Sequence, residues 1–229
     1  SHAVNTPEFH SFMWCFTHVD WEGFSPWDLV MPLFMFMSGI TIPFALSRYK
    51  SEADKSKVYK RILKRVALLW IFGMMCQGNL LALDPNRIYV YSNTLQTIAT
   101  GYLVSSLLFL HTRIKTQITI AVLLLLTFWG SMEFFTIQGY GGGNYTPDAN
   151  LAEWIEREVL GRFRDGASVV NGETIFSNGY RYTWILSSIN FSVTVLTGVF
   201  AGYILKNKNW KPKKKLVYLI GIGALMVIT

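Results

Sequence analysis

Charged residues are scarce in this chain of 229 residues, because Asp, Glu, Lys and Arg together make up only 15% of it. In a soluble globular domain about a quarter of the residues are charged. The deficit is uneven, since the few charges cluster in short stretches that separate long apolar runs. Hydrophobic residues account for 51% of the chain. This distribution argues against the one or two soluble domains that the length alone suggests.

Cysteine is scarce as well. The chain contains two cysteines, Cys15 and Cys76, and neither has metal-ligand spacing to another Cys or to a His. Two such residues exclude a disulfide framework and give no sign of a cysteine-based metal centre. We therefore predict two unpaired thiols and no metal.

Six apolar runs divide the sequence, at 26–46, 66–83, 94–110, 117–137, 183–205 and 216–229. A helix needs about 20 apolar residues to cross the hydrocarbon core. The runs lack the period-two alternation of barrel strands, and a backbone in lipid must then be helical. The sequence predicts an all-α fold, a polytopic transmembrane helical bundle of about six spans in one domain over residues 1–229. The last run is cut off after 14 residues, so we expect a truncated span there.

The net charge of +7 follows the connections between these runs. Three alternate connections, 47–65, 111–116 and 206–215, hold 16 of the 21 Lys and Arg. Because basic residues stay cytoplasmic, residues 1–25 and 138–182 are predicted to be non-cytoplasmic. The charge thus indicates a lipid bilayer and no nucleic acid, and we expect a bacterial inner membrane protein. A chain that begins outside without a signal sequence suggests a piece of a larger protein lacking both ends.

The long outer loop contains a helix signal. Asn150 and Glu153 have the spacing of a capping box, and an apolar stripe follows at helical spacing. The stripe consists of Leu151, Trp154, Ile155 and Val159. We predict a short helix over 151–163, packed by its Trp154 and Ile155 face. A similar stripe before His18 predicts an interfacial helix, and it consists of Phe9, Phe12, Met13 and Phe16.

The residues most suited to chemistry lie at the start of the first apolar run. Asp28 is ionisable inside an otherwise apolar helix, where a charge usually faces a cavity or a partner. His18 changes charge near neutral pH and suits a general base or an acyl acceptor. Asp28 or Asp20 would fix its tautomer, and we predict a contact between Asp28 and His18. The alternative is an interfacial His18 and an Asp28 that caps its helix.

These residues belong to a longer pattern, HVDWEGF at 18–24 followed by DLVMPLF at 28–34. It resembles the signature of the heparan-α-glucosaminide N-acetyltransferase family, His-x-x-Trp-x-Gly, four residues, then Asp-Leu-x-Phe-Pro-x-Phe, with Met31 replacing a Phe. Further stretches agree in order and spacing, namely LQ at 95–96, NLAEWI at 150–155, LG at 160–161, LSSI at 186–189 and AG at 201–202. Two features depart from the family. Thr97 replaces the Arg after Leu-Gln, and an Asp-Pro-Glu-Gly segment before the fifth run is absent.

The resemblance implies a transmembrane acyltransferase that moves an acetyl group from cytoplasmic acetyl-CoA to an amino sugar or other glycan on the far side. It aligns His18 with the family's active-site His. We predict His18 and Asp28 as catalytic residues. Trp21 is predicted to stack on the sugar, with a role in the aromatic belt of the membrane interface as the alternative. Gln96 is predicted to form a hydrogen bond within the cavity.

Two rival functions remain open at this stage. A transporter would use the same helices, broken by Gly39, Pro43 and Gly78, to move a sugar without chemistry. A non-catalytic membrane scaffold would need His18 and Asp28 only for folding.

Overall fold

The computed structural model describes residues 13–19, 21, 23–177 and 182–228, and about 67% of it is helical. Seven α-helices occur within these ranges, α1 Val30–Leu46, α2 Ser56–Cys76, α3 Thr94–His111, α4 Ile114–Phe134, α5 Leu151–Leu160, α6 Ser188–Lys206 and α7 Pro212–Ile228. Short 3₁₀ turns join several of them, and the turn Pro26–Leu29 leads directly into α1. Each of the six apolar runs therefore contributes to a helix.

Three helical segments are long and apolar enough to cross a membrane. They are Pro26–Tyr49, which is α1 with the 3₁₀ turns at its two ends, Ile114–Phe134 (α4) and Ser188–Lys206 (α6). Their length of 19 to 24 residues suits a hydrocarbon core about 30 Å thick. Membrane association thus has support from three helices, whereas the total of about six spans stays a prediction.

The second run differs from its predicted bounds of 66–83, because α2 begins at Ser56 and ends at Cys76. Lys and Arg are good helix formers, so the basic stretch before the run joins the helix. Val58 and Ile62 on this stretch are buried in the core. The chain then leaves the helix, and Asn79 and Leu83 both adopt positive φ angles.

The centre of the fold is the crossing of α1 and α6. Gly39 and Gly198 face each other there, because a Cβ on Gly39 would lie 3.0 Å from the Gly198 Cα and would overlap the Val195 carbonyl oxygen. Small residues let two helix backbones approach this closely, as is common in membranes. Helix α1 is continuous through Gly39 and Pro43, so the breaks on which the transporter hypothesis relied are absent at these two positions.

Helices α2 and α3 complete the core around this crossing. Its buried side chains come from α1, α2, α3 and α6, and include Ile42, Ile62, Tyr102, Phe109 and Val199. Helix α4 packs on α6 through Ala121 and leaves large apolar side chains exposed, among them Val122, Leu126 and Trp129. Such a face suits contact with lipid.

Two short hairpins depart from the all-α prediction. Thr136–Ile137 (β1) pairs with Tyr140–Gly141 (β2), and Ala167–Val170 (β3) pairs with Glu173–Phe176 (β4), both antiparallel. Asn171 and Gly172 connect β3 to β4 with φ angles of 53° and 86°. An Asn-Gly pair is the preferred connection of a two-residue hairpin turn, because both positions need positive φ. The β3–β4 hairpin therefore forms in a segment that has no apolar run.

Helix α5 lies within the predicted bounds 151–163, with Gly161–Phe163 continuing as a 3₁₀ turn. The Asn150 side chain accepts a hydrogen bond from the Glu153 amide at 2.9 Å, as its capping role predicts. The predicted face is confirmed in part, because Leu151 is buried and Ile155 packs beside it. Val159 is nevertheless 64% exposed, and Glu153 and Glu156 are buried. Glu153 is buried with its ion-pair partners Arg157 and Arg164, whereas Glu156 accepts hydrogen bonds from backbone amides.

Candidate functional site

Asp28 is held in place by the turn that starts the first helical segment. Ser25 is the N-cap residue and Pro26 follows at the first helical position, where its missing N–H costs nothing. The Asp28 Oδ2 atom accepts a hydrogen bond from the Ser25 amide at 2.8 Å. It also lies within hydrogen-bond distance of Ser25 Oγ, at 2.9 Å. Local chain geometry thus fixes one side of the carboxylate.

The other carboxylate oxygen contacts His18, as predicted. The distance from His18 Nδ1 to Asp28 Oδ1 is 2.6 Å. An ionised carboxylate only accepts hydrogen bonds, so this contact needs the proton on Nδ1, and the neutral form of His18 then has its lone pair on Nε2. The His18 side chain is 53% exposed, so a reactant can reach it. The pair has the orientation of a base held by a carboxylate.

Ser25 connects this carboxylate to the backbone that carries His18. The residue is fully buried, and its Oγ lies 2.6 Å from the carbonyl oxygen of Thr17. Thr17 directly precedes His18 in the chain. Sequence reasoning missed Ser25, although Ser-Pro-Trp-Asp is a recognisable helix start with a capping residue and an acidic third position. Asp20, the other predicted partner of His18, lies outside the described residues, as do Phe9 and Phe12 of the predicted interfacial helix.

Aromatic rings surround the pair. Trp27 contacts His18 edge-on, with 6.4 Å between ring centroids. Trp21 is 40% exposed, and its indole Nε1 donates to the Tyr145 carbonyl oxygen at 3.0 Å. The Tyr145 hydroxyl in turn donates to Glu133 Oε2 at 2.9 Å, and this bond raises the pKa of Tyr145. The motif before α1 is thereby joined to the loop that follows α4.

Gln96 is fully buried and serves the backbone. Its Oε1 accepts from the amides of Ser92 and Asn93, and its Nε2 donates to the Val90 carbonyl oxygen. Together with Asn93 at the N-cap, Gln96 closes a capping box that starts α3. These bonds explain its burial by local structure, and its predicted contact with substrate stays a prediction.

A buried charged cluster joins α5 to its surroundings. Glu153 pairs with Arg157 at 2.7 Å and with the fully buried Arg164 at 2.5 Å. Glu156 Oε2 accepts from the backbone amides of Trp184 and Ile185, just before α6. Burial raises the pKa of Glu156 to about 7, against the lowering effect of these amides and of Arg164. Sequence reasoning missed this cluster because its partners are distant along the chain.

In the described part of the chain, no group of three or more His, Cys, Asp or Glu side chains has the arrangement of a metal site. Cys15 and Cys76 are free thiols. The site therefore consists of the His18 and Asp28 pair with its buried serine and its aromatic surroundings.

The sequence matches the family model of heparan-alpha-glucosaminide N-acetyltransferase, catalytic, over residues 8–147, which is more than half of the chain. The chain belongs to this family. No curated protein matches the sequence. The matched region of this N-acetyltransferase family member contains His18, Asp28 and Ser25, as well as the contact between Trp21 and Tyr145. The charged cluster around Glu156 lies beyond the match.

Proposed function

We propose that this protein is a transmembrane acyltransferase that moves an acetyl group from cytoplasmic acetyl-CoA to an amino sugar or other glycan acceptor on the opposite side. The observation that carries the proposal is the 2.6 Å contact between His18 and Asp28, inside the motif of an N-acetyltransferase family. A tautomer with a free Nε2 lone pair is the form that acetyl transfer requires of a histidine.

Two routes use this histidine. In the first, Nε2 removes a proton from the acceptor ammonium group, and the amine attacks the thioester carbonyl. In the second, Nε2 attacks the thioester carbonyl itself, forming an acetyl–imidazole bond that the acceptor amine then breaks. In both routes the carbon–sulfur bond breaks and the CoA thiolate leaves. Asp28 stabilises the positive charge that develops on His18.

The donor is expected at the other end of the helices. Helix α1 has 17 residues and is therefore about 26 Å long, close to the thickness of the hydrocarbon core. Beyond its end an open cavity of about 600 Å³ is lined by Ser47, Arg48, Arg61 and Lys206, among others. These cations would attract the phosphates of CoA, although their position also suits the positive-inside rule.

The acceptor is expected at the exposed aromatic rings. Trp21 presents a ring whose orientation is fixed by its bond to Tyr145, and a fixed flat ring suits the apolar face of a sugar. A membrane-interface role of the same tryptophan is the alternative. A scaffold without chemistry would not need a histidine that is both exposed and hydrogen-bonded to a carboxylate.

The proposal is tested by acetyl transfer from labelled acetyl-CoA to glucosamine, catalysed by the intact protein in detergent. His18→Ala should lower the turnover at least about 10²-fold, because a base or nucleophile is lost. The matched control is His111→Ala. His111 is the last residue of α3 and forms a hydrogen bond with Tyr59, so its replacement should leave turnover near the wild-type value. Near-wild-type turnover in His18→Ala, with an unchanged melting temperature, would remove His18 from the mechanism.

A further inference from the structure

We propose that Ser25 is a positioning residue of the acetyl transfer, which aims the Asp28 carboxylate at His18 and adjusts the strength of their hydrogen bond. This inference rests on the proposed function. Ser25 acts through Asp28 and does not touch the reactants, because it is fully buried while His18 is exposed.

The two carboxylate oxygens of Asp28 have different partners. Oδ1 of Asp28 faces His18 Nδ1 at 2.6 Å, and Oδ2 receives both the amide and the hydroxyl of Ser25 at 2.8 and 2.9 Å. Rotation of the carboxylate in either direction breaks at least one of these bonds. Side chains held by such secondary bonds keep a reacting group within the narrow geometry that catalysis needs.

The Ser25 hydroxyl can donate its proton to either of two neighbouring oxygen atoms. It has one proton and two acceptors, Asp28 Oδ2 at 2.9 Å and the Thr17 carbonyl oxygen at 2.6 Å. A proton donated to Asp28 spreads the negative charge and weakens the pull on His18. A proton donated to Thr17 leaves that charge to His18, so the hydroxyl adjusts the strength of the hydrogen bond between Asp28 and His18.

A purely structural role for Ser25 makes a different prediction. An N-cap serine usually accepts a hydrogen bond from an amide of the first turn, and its loss affects stability only. Ser25 and Asp28 form a capping box in this turn, and the Ser25 hydroxyl in addition contacts the Asp28 carboxylate and the carbonyl that precedes the histidine. Substitution should therefore change the kinetics of the folded protein as well as its stability.

The test compares Ser25→Ala and Ser25→Gly with the wild type in the same acetyl-transfer assay, per folded molecule. Glycine is included because an N-cap tolerates it almost as well as serine. The expected result is a kcat about 10- to 100-fold lower with little change in the KM for acetyl-CoA. Ser131→Ala is the control, since that hydroxyl donates only to the Phe128 carbonyl oxygen.

A double-mutant cycle with Asp28→Asn isolates the route of the effect. If Ser25 works through Asp28, its removal should change kcat by less than about twofold in the Asp28→Asn background. Wild-type kcat in both Ser25 variants overturns the proposal, and so does an equal loss in the Asp28→Asn background or a failure of both variants to fold. These outcomes leave the proposed function standing. A wild-type protein that transfers no acetyl group overturns both.

Discussion

The crossing of α1 and α6 allows a sharp prediction about a single methyl group. In Gly39→Ala, the added Cβ would overlap the Val195 carbonyl oxygen and lie 3.0 Å from the Gly198 Cα. Both neighbours are backbone atoms that cannot rotate away. The two helices must therefore separate by about 1 Å, since a carbon–oxygen contact needs about 3.3 Å or more.

The cost of this separation is that of an overpacked core, about 1–3 kcal/mol. For a chain of this size, each kcal/mol lowers the melting temperature by about 2–4 °C. We expect Gly39→Ala to melt about 2–12 °C below the wild type. Acetyl transfer should also fall, because the displaced helix follows directly on the turn that holds Asp28.

The matched control is Gly130→Ala on α4. A Cβ at Gly130 meets only the Phe134 ring, at 3.9 Å, which is an ordinary contact. Alanine favours a helix over glycine by about 1 kcal/mol, so this variant should be as stable as the wild type or slightly more stable. Thermal melts of the purified proteins in one detergent provide the measurement. Equal melting temperatures for the two variants would refute the close approach of α1 and α6.

Two further predictions concern Glu156 and Trp21. Because burial raises the pKa of Glu156 to about 7, the folded protein keeps a proton that the unfolded chain releases near 4.5. Stability should therefore fall as the pH rises from about 4.5 to about 7, by up to about 3 kcal/mol, and Glu156→Gln should flatten this dependence in melts from pH 5 to pH 8. A variant as pH-sensitive as the wild type would exclude Glu156 as the source. Trp21→Phe keeps an aromatic ring but loses the donor to Tyr145, so the KM for the acceptor should rise several-fold while the KM for acetyl-CoA is unchanged. Trp129→Phe, on the exposed face of α4, is its control, and an unchanged acceptor KM in Trp21→Phe would argue against a sugar-binding role.

Local signals in the sequence were reliable where neighbouring residues decide the structure. The helix after Asn150 begins where its capping pattern indicates, and the contact between His18 and Asp28 is present. The hairpin at Asn171 and Gly172 was missed although its turn signal is equally local. The apolar periodicity of the long runs dominated the interpretation, and a four-residue strand produces little periodicity of its own.

Signals that depend on distant partners were misread. The transporter alternative treated Gly39 as a helix break, yet it lies inside a continuous helix where Gly198 approaches it. Ile155 on the apolar stripe of α5 packs as predicted, but Val159 at the end of the stripe is exposed. Glu153 and Glu156, which lie outside the stripe, are buried. An acidic side chain is expected to be exposed unless a cationic partner is known. The partner Arg164 is eleven residues away from Glu153, so the sequence pattern of the helix did not indicate it.

The sequence by itself determined the helical character of the chain, the membership of an N-acetyltransferase family and the pairing of His18 with Asp28. The helical character depends on the length of the apolar runs, and the family membership on a contiguous motif. The pairing depends on the four-residue turn Pro26–Leu29. Only the tertiary structure decided that Gly39 lies at a helix crossing, that Trp21 is held by Tyr145 and that Glu156 is buried against the start of α6. Each of these contacts joins residues between 28 and 159 positions apart. Such contacts arise from packing of the whole chain, which no local pattern of residue types encodes.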